Sequence, residues 1–226
     1  MRSFTRRVRE FWDQDRGLSV FLAFLVVVVF ILAPLSNPLP GRRSVFIVFI
    51  SILFGFGGYA ITHSRRRGAL VLALALGPLL LQAAGRFTEG GRWDAASAVA
   101  ACVFSVTLAV LVAARVMRDG PITVHHIVGA VAIYLLIGIA FGEATRAMGL
   151  LDPAAYASAS GRSFDRAELY YFSFVTLTTV GYGDITPVHP FARSLAILEA
   201  LTGQLFPAIL IARLVSQELA SRPSRR

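Results

Sequence analysis

Thr178-Thr179-Val180-Gly181-Tyr182-Gly183-Asp184 is the stretch of sequence that decides the fold of this chain. In an ordinary β-strand the backbone carbonyls alternate between two sides. Gly181 and Gly183 adopt left-handed backbone conformations without steric cost, and such a backbone can turn consecutive carbonyls to one side. Val180 and Tyr182 would then direct their side chains away from those oxygens. The heptapeptide therefore predicts an extended segment with a row of oxygens suited to a dehydrated cation.

The composition indicates that lipid surrounds most of the chain. The chain has 226 residues, of which 56% are hydrophobic and only 15% charged, with a net charge of +9. Its mean hydropathy is +0.67. The apolar residues form long blocks and the arginines flank them, which favours orientation in a membrane over binding to nucleic acid.

Six apolar blocks approach the roughly 20 residues that a spanning helix requires. They are Leu18–Leu35, Val45–Ile61, Ala69–Ala84, Ala95–Met117, Thr123–Gly142 and Pro190–Leu214. A further apolar piece, Leu169–Val180, is too short to span and must be re-entrant. The first block is long for a secretory signal and no small-x-small cleavage site follows it, so we expect a retained helix.

The arginines also predict the orientation. More of them lie on the side of the amino terminus than on the other, which predicts a plasma-membrane protein with both termini in the cytoplasm. We divide the chain into an amphipathic segment (1–17), a four-helix peripheral domain (18–121), a pore domain (122–219) and a short basic tail (220–226). The few residues after Leu214 predict no soluble ligand-binding domain.

The residues before the heptapeptide carry a helix start signal. Asp165 is followed three positions later by Glu168, a variant of the capping box, and this pair predicts a helix that runs through Leu177. The carboxyl end of that helix, with its partial negative charge, would point at a cation below the extended segment.

Together these residues resemble the TVGYG signature of tetrameric potassium channels. The resemblance implies that the carbonyls of Thr179, Val180, Gly181 and Tyr182, with the Thr179 hydroxyl, bind K⁺ in a filter that Gly183 completes. One chain carries one copy, so three further copies of the chain are the expected partners. The expected fold is therefore an all-α membrane protein with six transmembrane helices, a re-entrant pore helix and an extended filter, assembled as a homotetramer. No cofactor other than permeant K⁺ and no enzymatic activity are expected.

The resemblance also implies residues that support the filter. Thr178 precedes it, and Asp184 lies at its outer mouth, where it raises the local cation concentration. Tyr171 and Phe172 resemble the aromatic pair that packs against the ring of Tyr182. Some bacterial members carry Glu at position 175, bonded to the acid at position 184; Val175 cannot make that bond.

The last apolar block resembles the inner helix of the family. Gly203 falls at the hinge glycine and Pro207 removes a backbone hydrogen bond, so the pair predicts a gating bend. The alternative is that both residues are simply common in membrane helices. Gln204, Pro207 and Ile211 are expected to face the cavity.

Glu199, in the same block, is expensive at bilayer depth. It must face protein or water, or be protonated. We favour a structural hydrogen bond to the back of the pore helix or filter over an ion site in the cavity.

The first four blocks lack the arginine repeat of a voltage sensor, since Ala95–Ala114 contains no arginine. Weak or absent voltage dependence is therefore expected. The basic amino-terminal segment predicts either an interfacial helix on anionic lipid or a simple topogenic start. The alternatives to a potassium channel are a poorly selective cation channel and a non-conducting membrane scaffold or sensor.

Overall fold

A computed structural model describes residues 16–32, 65–85, 92–116, 124–158 and 164–221, and these are mostly helical. The elements in chain order are α1 (Arg16–Val27, continued by a π-helical turn, Val28–Leu32), α2 (Arg65–Ala84), α3 (Arg92–Val116), α4 (Val124–Leu151), β1 (Tyr156–Ser158), α5 (Arg166–Leu177), β2 (Ile185–Pro187) and α6 (Pro190–Ser221).

Three of the described helices are long and apolar enough to cross a membrane. They contain the stretches Arg92–Ala114, His126–Leu151 and Pro190–Gln217, which correspond to the fourth, fifth and sixth predicted blocks. Shorter apolar helices, Leu18–Ile31 and Val71–Ala84, correspond to the first and third blocks. The second block, Val45–Ile61, and the amphipathic segment 1–17 lie outside the described residues except for the start of α1, so six crossings stay a prediction.

The predicted end of the fifth block at Gly142 was wrong. Helix α4 continues to Leu151, although Glu143 and Arg146 follow Gly142 and interrupt the apolar pattern. Both charged side chains are buried and hydrogen-bonded to each other, so the helix extends without exposing either charge to lipid.

Helices α1 and α3 pack directly on α4, and α2 packs on α3. One apolar cluster contains Phe21 and Leu25 of α1, Val71 of α2, Leu108 of α3 and Leu136 of α4. Because lipid tails are as apolar as these side chains, the association rests on close van der Waals packing. The peripheral helices and the predicted pore module therefore share one packed interior.

Helix α5, the predicted re-entrant helix, lies against two glycines of α4. A Cβ atom at Gly138 would lie 2.5 Å from the Phe174 ring, and one at Gly142 would lie 3.1 Å from the Tyr170 ring. The Phe174 ring fits only because Gly138 has no side chain, and a side chain at Gly142 would make a tight contact with the Tyr170 ring. In the sequence, Gly138 and Gly142 stand four positions apart, a small-xxx-small pattern that predicts a face for close helix packing. This prediction is confirmed.

A two-stranded antiparallel sheet joins the segment after α4 to the segment after the predicted filter. The all-α prediction did not include this sheet. In β1 and β2, Tyr156 pairs with Pro187 and Ser158 with Ile185. The carbonyl of Ala155 also accepts a hydrogen bond of 2.8 Å from the amide of Val188. Strands of three residues are too short to give a recognisable alternating pattern.

Candidate ion-conduction site

The amino-terminal end of α5 is closed by the predicted capping box. The Asp165 side chain accepts from the Glu168 amide at 2.8 Å, and the Glu168 side chain accepts from the Asp165 amide at 2.9 Å. Two of the amides that a helix start leaves unpaired are thereby satisfied. The prediction of a helix from this cap through Leu177 is confirmed.

A buried charge cluster, which the sequence analysis did not find, joins α5 to α4. The Glu143 carboxylate accepts from Arg146 at 2.7 Å, from the hydroxyl of Tyr170 at 2.5 Å, and from Arg166. Burial alone lowers the pKa of the Arg166 guanidinium, but the adjacent Glu143 carboxylate raises it above its ordinary value. Burial, and then the charge of Glu143, raise the pKa of Tyr170. Arg146 and Arg166, which had served only as topology signals, are thus internal partners of one carboxylate.

At its carboxyl end, α5 holds the start of the predicted filter through backbone hydrogen bonds. The carbonyl of Val175 accepts from the amide of Val180 at 3.0 Å and from that of Gly181 at 3.4 Å. The Thr178 hydroxyl donates to the Phe174 carbonyl at 2.7 Å, which supports the end of the helix from within. The filter segment therefore leaves the helix in a fixed direction.

Three alternate residues of the filter segment adopt left-handed backbone conformations. The φ angles are +58° at Thr179, +58° at Gly181 and +78° at Gly183. The conformations of the glycines are those that the sequence predicts. Thr179 was missed, because a β-branched residue rarely adopts positive φ and nothing in the sequence marks it. Because every second residue is left-handed, the carbonyls of successive residues in this segment can point to one side.

The outer part of the filter segment is exposed on a single chain. Val180 is 53% and Tyr182 70% exposed. The Tyr182 ring stacks on that of Tyr171, with centroids 6.5 Å apart and planes nearly parallel. The Tyr171 hydroxyl also lies beside the Asp184 carboxylate, which interacts with it electrostatically. Asp184 thus has a partner on α5, although Val175 cannot supply one.

The other aromatic residue of the predicted pair points elsewhere. The ring of Phe172 packs edge-on against that of Tyr156 in β1, with centroids 5.4 Å apart. Ile185 of β2 belongs to the same small apolar cluster. Phe172 therefore connects α5 to the sheet that follows the filter segment, and Tyr171 is the member of the pair that contacts Tyr182.

Glu199 lies behind α5 and is fully buried. Its carboxyl group is hydrogen-bonded to the hydroxyl of Ser173 on α5, and the Ser173 hydroxyl also lies 3.2 Å from the carbonyl oxygen of Gly138 on α4. This geometry agrees with the favoured prediction of a structural hydrogen bond from Glu199 to α5.

Gly203 packs directly on the end of α5, a role that the sequence analysis did not consider. A Cβ atom at Gly203 would lie 1.7 Å from the carbonyl oxygen of Leu177. The hydroxyl of Tyr134, on α4, donates to that same oxygen at 3.3 Å. Helix α6 runs through Gly203 and Pro207 without interruption. A hinge at these residues stays a prediction.

The residue after Gly203 reaches the filter segment itself. The side-chain amide of Gln204 lies 3.4 Å from the hydroxyl of Thr179 and donates to it. Ile211, two turns further along α6, is 60% exposed on the single chain. The structure thus brings one of the predicted cavity residues to the inner end of the filter segment.

Residues 124–221 as a whole define a class of membrane module. A helix long enough to cross a membrane is followed by the short helix α5, an extended segment with left-handed residues, and a second helix long enough to cross a membrane. This order is that of a pore module in which backbone oxygens line a narrow ion path.

Comparisons with known proteins agree with this class. Residues 122–218 match a family model described as an ion channel. The chain is 36% identical over 99 residues (44% of this chain and 20% of the relative) to two pore potassium channel c of Oryza sativa subsp. japonica. It is 39% identical over 66 residues (29% and 48%) to Protein LctB of Geobacillus stearothermophilus. It is 43% identical over 53 residues (24% and 19%) to two-pore potassium channel 4 of Arabidopsis thaliana. No solved structure matches the chain.

The family model covers the carboxyl-terminal part of the chain. The chain spans less than half the length of these curated relatives. Residues 122–218 are thus similar to ion channels, and two of the relatives are named as potassium channels. The similarities indicate a channel protein and not an enzyme.

Proposed function

We propose that four copies of this chain form a potassium-selective channel, with residues 179–183 of each copy around a central axis. The carbonyls of Thr179, Val180, Gly181 and Tyr182, with the Thr179 hydroxyl, replace the water around each K⁺. Conduction is passive and follows the electrochemical gradient.

The observation that carries this proposal is the alternation of positive φ at Thr179, Gly181 and Gly183 directly after a helix that points its carboxyl end at them. An L-residue such as Thr179 adopts this conformation only where its surroundings impose it, and such strained residues cluster at functional sites. The hydrogen bonds from Val180 and Gly181 to Val175 supply that constraint.

The exposed faces of the single chain support assembly with further copies. Phe191, Ile197, Leu201, Leu205 and Ile209 on α6 are each more than half exposed. Other subunits would cover part of this surface and lipid the remainder, as a fourfold arrangement around the filter requires.

The proposal includes weak or absent voltage dependence, because α3 has no arginine between Ala95 and Ala114. Each charge that moves through the field would supply about 2.3 kcal/mol per 100 mV, and α3 has none in its interior. It also includes six crossings, from the six apolar blocks. Both termini in the cytoplasm and a place in the plasma membrane follow from the distribution of arginine.

The test is ion flux into liposomes that contain the purified full-length chain. A K⁺ gradient should drive flux that barium blocks, and reversal potentials with K⁺ on one side and Na⁺ on the other should lie near the K⁺ equilibrium potential. Reversal near zero indicates instead a poorly selective cation channel. Absence of flux in correctly assembled particles indicates a scaffold or sensor.

Two matched glycine substitutions test whether ion flux depends on the backbone conformation of the filter. A Cβ atom at Gly181 or at Gly77 meets no atom within 4 Å, but only Gly181 has positive φ. Gly181→Ala should therefore strain the filter by about 1–3 kcal/mol and abolish selective flux. Gly77→Ala, within α2, should leave flux unchanged and stabilise the helix by up to ~1 kcal/mol. Normal selectivity in Gly181→Ala contradicts the proposal.

A further inference from the structure

The carboxyl group of Glu199 lies where three helices meet. Glu199 on α6 and Ser173 on α5 are both 0% exposed. The Ser173 hydroxyl is within hydrogen-bonding distance of Glu199 Oε1 and lies 3.2 Å from the carbonyl oxygen of Gly138 on α4. One hydroxyl therefore connects α4, α5 and α6.

The number of hydrogen-bond donors at this junction indicates whether Glu199 is ionised or protonated. A serine hydroxyl donates one hydrogen bond. If Glu199 were ionised, Ser173 would face two acceptors, Glu199 and the Gly138 carbonyl, and could serve only one of them. If Glu199 carries a proton, it donates from Oε1 to Ser173 Oγ, and Ser173 donates onward to Gly138. Only the protonated form satisfies both contacts.

The second oxygen of Glu199 leads to the same conclusion. Oε2 is buried and has no hydrogen-bond partner among the described residues. Burying the carbonyl oxygen of a neutral acid without a hydrogen bond costs comparatively little free energy. Burying an oxygen of an ionised carboxylate without a donor costs far more. The ionisable side chains that interact electrostatically with Glu199 from α4 and β1 are Tyr134 and Tyr156, which are neutral phenols.

We propose that Glu199 is a protonated hydrogen-bond donor that positions the pore helix α5, by ordering Ser173 between α6 and the Gly138 carbonyl of α4. Glu199 touches no ion in this arrangement. Its effect on conduction rests on the proposed function, whereas its protonation does not.

Infrared spectroscopy of the full-length protein in liposomes, with carbon-13 in all glutamate carboxyls, tests the protonation. The difference spectrum between the parent and Glu199→Gln should contain the carbonyl stretch of a protonated acid. Glu168→Gln is the matched control, because glutamine also serves in a capping box and Glu168 lies at the start of α5. Its difference spectrum should contain carboxylate bands. Carboxylate bands in the Glu199→Gln difference spectrum overturn the proposal.

Flux measurements test the positioning role. Glutamine keeps both the size of Glu199 and a donor for Ser173, so Glu199→Gln should keep K⁺ flux and selectivity within about threefold of the parent. Glu199→Leu keeps the bulk without the donor and should lower flux roughly tenfold. Ser173→Ala, which removes the relay without a change in charge, should resemble Glu199→Leu.

Each combination of results has one meaning. Equal flux in Glu199→Leu and Glu199→Gln, whether both normal or both lost, overturns the positioning role. A protonated Glu199 in a parent protein that conducts no K⁺ contradicts the proposed function and leaves the protonation in place.

Discussion

The two ends of helix α5 differ in how much of their environment one chain supplies. At the amino-terminal end, the capping box of Asp165 and Glu168 and the buried carboxylate of Glu143 are all provided by the same chain. At the carboxyl-terminal end, Val180 and Tyr182 are more than half exposed and the backbone adopts conformations that few residues accept.

This difference indicates which part of the site is complete within a single protomer. The amino-terminal end resembles a folded interior, with paired charges and a closed helix start. The filter end has oxygens, exposed side chains and strain, and under the proposed function it is completed by three further copies and by K⁺. Substitutions at the first end should therefore change protomer stability, and substitutions at the second should change flux.

The largest expected effect is at Glu143. Glu143→Gln leaves the buried Arg146 and the partly buried Arg166 without a counter-charge, and breaking one partner of a buried ion pair costs about 3–5 kcal/mol. The free energy of unfolding of the full-length protein in mixed micelles, from denaturant titration, should fall by this amount.

Asp94→Asn is the matched control for Glu143→Gln. Asp94 lies in the first turn of α3, where the loss of a carboxylate should cost about 0.3–1 kcal/mol. If the two variants lose the same stability, the buried cluster does not hold the amino-terminal end of α5, and the comparison between the two ends fails.

The second effect is at Gly203, where α6 contacts the end of α5. Gly203→Ala introduces a Cβ atom 1.7 Å from the Leu177 carbonyl oxygen, so α5 or α6 must shift. Overpacking of this kind costs about 1–3 kcal/mol, and the shift should disturb the filter. We expect lower stability together with reduced selectivity, measured by reversal potentials.

Gly149→Ala separates this clash from a general effect of alanine in a spanning helix. A Cβ atom at Gly149, in α4, would lie 3.6 Å from its nearest neighbour, which is ordinary contact. This variant should retain flux and stability. If Gly203→Ala changed only gating and kept stability and selectivity, Gly203 would act as a hinge and not as a packing residue.

The features that sequence reasoning predicted correctly are local. The cap at Asp165, the helix through Leu177 and the left-handed conformations of Gly181 and Gly183 each follow from a few neighbouring residues and the steric freedom of glycine. Close packing at Gly138 likewise follows from the small size of glycine.

The features that sequence reasoning missed depend on residues far apart in the chain. Glu143 meets Arg166 across α4 and α5, and Gly203 meets Leu177 across α6 and α5. The positive φ of Thr179 arises from hydrogen bonds to Val175, against the preference of threonine itself. Periodicity and composition carry no information on such contacts.

A smaller effect is expected at the cap of α5. Asp165→Ala removes the acceptor for the Glu168 amide, and the loss of an N-cap costs typically about 1 kcal/mol. Asp165→Ser should restore most of this stability, because serine is an equivalent cap. Selectivity should stay normal in both variants. If serine is as damaging as alanine, the cap hydrogen bond is not the source of the loss.

The smallest effect is expected at Gln204, at the filter end. Its contact to the Thr179 hydroxyl is 3.4 Å long, beyond the usual range for a hydrogen bond, so its contribution should be at most about 0.5 kcal/mol. Gln204→Met keeps the length of the side chain without the donor and should change K⁺ conductance about twofold. Ile211→Met, on the same helix, is the control and should leave conductance unchanged. Equal changes in the two variants would mean that the conductance depends on the cavity surface in general. A change in Gln204→Met alone would mean that it depends on the contact with the Thr179 hydroxyl.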